Sequence, residues 1–284
     1  MAEFAKYIAK HGPHKTLSTP RRVRVVFNRT FIVDTTKALY VWEHDAYPQF
    51  YVSDKALEKC TLKEKQPVEH EGNRVAQVVE LSVINGEGKE AKTDRVVRFA
   101  DHPSLGVLAG MVRLEFGSMG RCKQYPGVCL SRGERDMLRR WIADQWLEED
   151  APIYVHPKDP FKRIEILPSL RPIEVKVHGK TVAQSPSSMH LFETSLPTRF
   201  YLPLSAVDQS VLRKSDLVTR CPYKGDAEYY DVVVDGKEAK NVVWYYRLPT
   251  HESAAIAGLV CFYNEKVDII LDGELLEKPK TWFS

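Results

Sequence analysis

The chain has 284 residues, 43% hydrophobic and 28% charged, enough for one large globular domain or two of ordinary size. Its 41 basic and 38 acidic residues leave a net charge of +3, too balanced to argue for a nucleic-acid partner. No apolar run approaches the ~18 residues of a membrane span, and Met1-Ala2-Glu3-Phe4-Ala5-Lys6 carries an acid and no apolar stretch where a secretory signal would have one. No membrane partner is expected.

The five cysteines (Cys60, Cys122, Cys129, Cys221 and Cys261) are odd in number and form no CxxC pair. Zinc sites favour closely spaced ligand pairs, so the expectation is a cytoplasmic, reduced protein with no metal and no cofactor. A homodimer stays open.

In chain order, residues 1–20 read as a short helical start (Phe4, Tyr7 and Ile8 at helical spacing) followed by a polar arm ending in Thr19-Pro20. From Arg21 the pattern turns to strands. Val23, Val25 and Phe27 alternate, Asn28-Arg29 supplies a turn, and Phe31-Ile32-Val33 returns. Leu39 to Glu43 and Phe50 to Val52 read as two more strands.

The pattern then recurs. Arg171, Val175, Glu193, Phe200 and Tyr201 repeat Arg21, Val25, Glu43, Phe50 and Tyr51 without a gap. Further on, Val96-Val97-Arg98-Phe99 aligns with Val242-Val243-Trp244-Tyr245, Pro103 with Pro249, and Ala109 to Val112 with Ala257 to Val260 after a small shift. So many matches in one order mark an internal duplication.

Between the copies, Ser131-Arg132-Gly133-Glu134 forms a capping-box pattern. Met137, Leu138, Trp141, Ile142 and Trp146 follow on one apolar stripe, predicting an amphipathic helix. The predicted organisation is an N-terminal arm (1–20), a first repeat (21–130), a helix and extended connector (131–168) and a second repeat (169–284). Near the end, Asp235-Gly236 and Asp272-Gly273 signal turns. Turn chemistry accounts for Asp272, and a solvated strand face for Asp268, better than a metal site does.

The second repeat carries the chemistry. Thr219-Arg220-Cys221-Pro222-Tyr223-Lys224-Gly225 sets a thiol between two cations on a backbone stiffened by proline. Arg220 and Lys224 are placed to lower the thiol pKa, which a nucleophilic cysteine requires. The alternative is a tight turn whose cysteine is a small buried hydrophobe. The first repeat has Glu69 to Arg74 there, with no thiol, proline or lysine. The candidate catalytic set is therefore Cys221, Lys224, Arg220 and Glu193, with Glu193 read first as a salt-bridge partner of Lys224 or Arg220 because Glu43 persists in the other copy. Tyr223, Tyr230, Trp244, Tyr246, Tyr263 and Tyr201 are candidates to line a pocket for a small cyclic ligand, or else to build the core. His251, in a loop, is a candidate base for the thiol.

The ordered set Arg171-Pro172-Ile173, Leu191-Phe192-Glu193-Thr194, Arg199 to Pro203, Cys221 to Gly225, Trp244-Tyr245-Tyr246 and Gly258 to Gly273 resembles domain-of-unknown-function family 427, also catalogued as nucleotidyltransferase-like. The resemblance covers the second repeat and, more weakly, the first. It implies a mainly β (α+β) protein of two tandem β-tent-like domains joined by the helix, related in fold to methionine sulfoxide reductase B and the thalidomide-binding domain of cereblon. Those relatives hold zinc through CxxC pairs that this chain lacks. No glycine-rich phosphate loop and no Gly-Ser followed by paired aspartates supports a nucleotidyltransferase activity. The expected function is an enzyme acting on a small organic metabolite in the second repeat. A non-catalytic small-molecule binding module and a protein-interaction scaffold are the competing classes.

Overall fold

The structure is a computed structural model that describes residues 1–116 and 145–281. The chain divides into two compact units, Met1–Asp159 and Pro160–Ser284. Both are mainly β, and each contains one seven-stranded and one four-stranded antiparallel sheet among the described residues.

The first unit begins with helix α1 (Ala2–His11), which has an acid in its first turn, Lys10 and His11 in its last, and Ala5 and Ile8 buried. Its strands are β1 (Lys15–Ser18), β2 (Val23–Phe27), β3 (Thr30–Thr35), β4 (Leu39–Trp42), β5 (Gln49–Ser53), β6 (Thr61–His70), β7 (Asn73–Ile84), β8 (Glu90–Phe99), β9 (Met111–Leu114), β10 (Gln145–Glu148) and β11 (Ala151–Ile153). The large sheet runs β1-β4-β5-β9-β8-β7-β6 and the small one β11-β10-β2-β3.

The second unit has β12 (Ile164–Ser169), β13 (Ile173–Val177), β14 (Lys180–Ser185), β15 (Ser188–Glu193), β16 (Arg199–Leu202), β17 (Leu212–Cys221), β18 (Gly225–Val234), β19 (Lys237–Tyr246), β20 (Val260–Phe262), β21 (Asp268–Leu271) and β22 (Glu274–Leu275). Its sheets run β12-β15-β16-β20-β19-β18-β17 and β14-β13-β21-β22. Strand for strand this is the order of the first unit, so the duplication read from sequence is a duplication of fold. The hairpin turns agree too. Asn28-Arg29 and His178-Gly179 all hold positive φ, the two-residue loop whose twist suits antiparallel strands.

In each unit the alternation of apolar residues along β2 or β13 drives the small sheet onto one face of the large one. Val23, Val25, Ile32, Phe50, Val96 and Val112 meet in one core. Ile173, Val175, Val182, Phe200, Val243 and Val260 meet in the other.

Three expectations change. Residues 1–20 are no arm: α1 packs in the first unit and β1 pairs with β4. The predicted helix lies at 131–144 outside the described residues, but its last apolar residue, Trp146, is in strand β10. There Trp146 pairs with Val25 as Ile269 pairs with Val175 in the other copy, and its ring stacks on Phe116 at 5.4 Å. A short apolar run fits a buried strand as well as a helix, and only the partner strand decides. The connector also narrows, because β10 and β11 belong to the first unit and β12 to the second.

Candidate functional site

The site lies on the other face of the second unit's large sheet. Leu191, Tyr201, Ala227, Tyr229, Trp244, Tyr246, Ile256 and Cys261 form a second cluster there, with Tyr263 packed against it. Strand alternation selects them: Tyr229 faces this cluster, whereas Tyr230 packs on the opposite core and stacks with Tyr245 at 5.3 Å. Tyr230 is therefore not brought to the other candidates, and Tyr229, its neighbour, is.

Pairing also corrects the repeat alignment on β19. Tyr51 pairs with Arg113 as Tyr201 pairs with Cys261. Arg113 in turn pairs with Val97, and Cys261 with Trp244. Trp244 thus stands at the position of Val97, Tyr245 at Arg98 and Tyr246 at Phe99, one residue out of step with the alignment read from sequence. A one-residue slip moves every side chain to the other face. Tyr246 keeps an aromatic counterpart and Trp244 does not.

The motif hairpin joins β17 to β18 at Pro222-Tyr223-Lys224, with Cys221 paired to Gly225. The loop is fastened from behind. The Thr250 N–H donates to the Lys224 carbonyl at 3.1 Å, the Thr250 hydroxyl donates to the Tyr223 carbonyl, and the Ser253 hydroxyl reaches the same carbonyl at 3.4 Å. Gly225 has φ +101 and sits so close to the Leu248 carbonyl that a Cβ would lie 3.1 Å from its oxygen, which explains a glycine there.

Held this way, Lys224 makes an ion pair with one oxygen of Glu193, and Lys162 Nζ lies 3.0 Å from the other. The Glu193 side chain is 4% exposed, that of Lys224 12% and that of Lys162 19%. Burial pushes the Glu193 carboxyl upward, but Lys224 and then Lys162 outweigh it and hold the carboxyl below its ordinary range. Lys162 also stands 5.2 Å over the buried Tyr223 ring. The expected salt bridge of Glu193 is present and goes to Lys224. Arg220 points instead to Asp226 at 3.5 Å.

Beside this triad the hydroxyls continue. Trp244 Nε1 donates to Tyr201 Oη at 3.1 Å, and Thr219 Oγ1 lies 2.8 Å from Tyr229 Oη. Burial pushes Tyr201 and Tyr246 well above the ordinary phenol range, and burial followed by the neighbouring Tyr229 does the same to Tyr263. All three stay neutral. Arg199 is clamped by Glu265 through two contacts of 2.7 Å and by Asn264 at 3.0 Å, with its guanidinium over Trp244 at 5.5 Å. Burial lifts the Cys261 thiol to about 12, so it stays protonated.

Cys221 ends β17 half-buried, and both cations expected to activate it are engaged by carboxylates. His251 opens a short 3-10 turn and is exposed. Sequence reasoning missed Lys162, which it placed in the connector, together with Tyr229, Arg199 and Thr250. Only Tyr229 had a local signal, the strand alternation with Ala227. A hollow of about 520 Å³ lined by Ile173, Ser185 and Ile270 lies on the four-stranded sheet and touches none of these groups. Among the described residues no three His, Cys, Asp or Glu side chains converge as a metal-ligand set, and no helix is long and apolar enough to cross a membrane.

Fold and site together define a tandem duplication of a two-sheet β domain with unequal polar chemistry in its two copies. The chain belongs to the family described as Domain of unknown function (DUF427), whose model matches residues 15–123 and again 165–273. The nucleotidyltransferase label attached to that model is a name only. No curated protein matches the chain.

Proposed function

We propose that the second repeat is the working half of this cytosolic protein and that it recognises a small organic molecule on the aromatic face of its large sheet. One observation carries the reading. At equivalent positions of the same face, the first repeat has Val68, Val78, Val97 and Leu105, and the second has Thr219, Tyr229, Trp244 and Ser253. A core needs no such exchange, because each buried hydroxyl or amine must be desolvated and then satisfied. Aromatic walls with a few fixed polar groups are what small-ligand sites use. Recognition is favoured over thiol catalysis because neither Arg220 nor Lys224 is left to activate Cys221.

A thermal-shift screen of small cyclic metabolites against the intact chain tests this. Hits should weaken about tenfold or more in Trp244→Phe and persist in Cys221→Ser. Absence of any hit would overturn the reading. Turnover of a hit that Cys221→Ser abolishes would replace recognition with nucleophilic catalysis.

A further inference from the structure

We infer that the ligand of this face carries an oxyanion, a carboxylate or a phosphate, received by Lys162 and Lys224. The inference rests on the ligand-site reading above and specifies its chemistry. Among the described residues, Glu43 of the first repeat is matched by a single cation, Arg113, through contacts of 2.6 and 2.9 Å, and Tyr51 donates to it at 3.1 Å. That cluster is neutral. The equivalent glutamate of the second repeat, Glu193, faces two ammonium groups, so its cluster holds one positive charge in excess. The neighbouring Arg199 does not change the balance, since Glu265 neutralises it, and Arg220 is paired with Asp226.

An excess charge in a largely dry setting is costly unless an anion completes it. The site is suited to accept one. Each ammonium has three N–H donors and spends one on Glu193. Each also retains some exposure, 19% and 12% of its side chain, through which a ligand group can reach it. Lys224 is already positioned by the bonds from Thr250 to the hairpin loop, so little ordering is needed on binding. Lys162 is likewise held in place over the buried Tyr223 ring.

Titration of the intact chain with benzoate, phenyl phosphate and benzyl alcohol, followed by tryptophan fluorescence and calorimetry, tests the inference. At least one oxyanion should bind about tenfold tighter than benzyl alcohol, as charge-assisted hydrogen bonds imply. Lys162→Met should erase that margin while leaving benzyl alcohol unchanged, and Lys162→Arg should keep it. Because Lys162→Met leaves Glu193 paired with Lys224, the variant is expected to fold, and circular dichroism checks this. Whichever of benzoate and phenyl phosphate binds tighter names the group. Equal binding of all three probes overturns the oxyanion inference and leaves the ligand-site reading standing. A margin that survives Lys162→Met places the anion elsewhere and also overturns it. If none of the probes saturates, the oxyanion inference falls, and the thermal-shift screen alone decides the ligand-site reading.

Discussion

The two copies share one fold but solve the same burial problem differently. On the outer face of the first repeat's large sheet, α1 lays Ala5 and Ile8 over Val75, Val78 and Val97, and Phe4 stands 4.5 Å over the Arg113 guanidinium. The polar cluster Glu43–Arg113–Tyr51 is thereby sealed under apolar side chains. Residues 152–161, which stand 150 positions after α1 and belong in part to the first unit's β11, form no helix. In the second repeat the face carries tyrosines, Trp244 and the Glu193 triad. The difference teaches that one duplicated fold can cover the same sheet face in two ways, with a helix over apolar side chains in one copy and with aromatic and polar groups in the other.

The sharpest way to break this comparison is to remove one cation from each copy. Arg113→Met leaves Glu43 buried without a countercharge and should destabilise the first unit by about 3–5 kcal/mol. Lys224→Met should cost the second unit no more than about 2 kcal/mol, because Lys162 still holds Glu193 at 3.0 Å. Hydrogen exchange read by mass spectrometry reports each unit separately, and equal losses would mean that the second lysine adds nothing to the triad.

A smaller effect is expected at the hairpin that only the second copy builds this way. Gly225→Ala forces a side chain into a positive-φ position beside the Leu248 carbonyl and should cost about 1–3 kcal/mol in denaturant unfolding. Loss of oxyanion binding beyond that cost would show that the loop positions Lys224.

The smallest effect appears only in acid. The Glu265 carboxyl resists burial through its bonds from Arg199 and is held at about 2, against an ordinary 4.5. A depressed carboxyl stabilises the fold fully above its unfolded value and loses that contribution as pH falls toward the folded one. The stability gap between the parent chain and Glu265→Gln should therefore shrink as pH drops from about 4.5 to about 2. A gap independent of pH would mean that the Arg199–Glu265 clamp is not what shifts this carboxyl.

Much of the scaffold was legible in residue order. Alternation at Val23, Val25 and Phe27, the Asn28-Arg29 turn and the return of Arg21, Val25, Glu43 and Tyr51 as Arg171, Val175, Glu193 and Tyr201 follow from local periodicity, which a strand writes directly into sequence. The strand at Trp146, the one-residue register of Trp244 against Val97 and the opposite facing of Tyr229 and Tyr230 did not. Each depends on which strand lies alongside, and pairing is a non-local choice.

The sequence by itself determined the duplication, the mainly β class and the inequality of the two copies, and it left the partner of Glu193 open between Lys224 and Arg220. Only the tertiary structure recruited Lys162 to the same carboxylate, set Arg220 aside on Asp226 and covered the first repeat's face with α1. Periodicity reports which residues are buried, because burial follows from a strand's own geometry. Which charges end up sharing a carboxylate is decided by distances across the sheet, and residues as far apart in the chain as Lys162 and Lys224 carry no local mark of meeting.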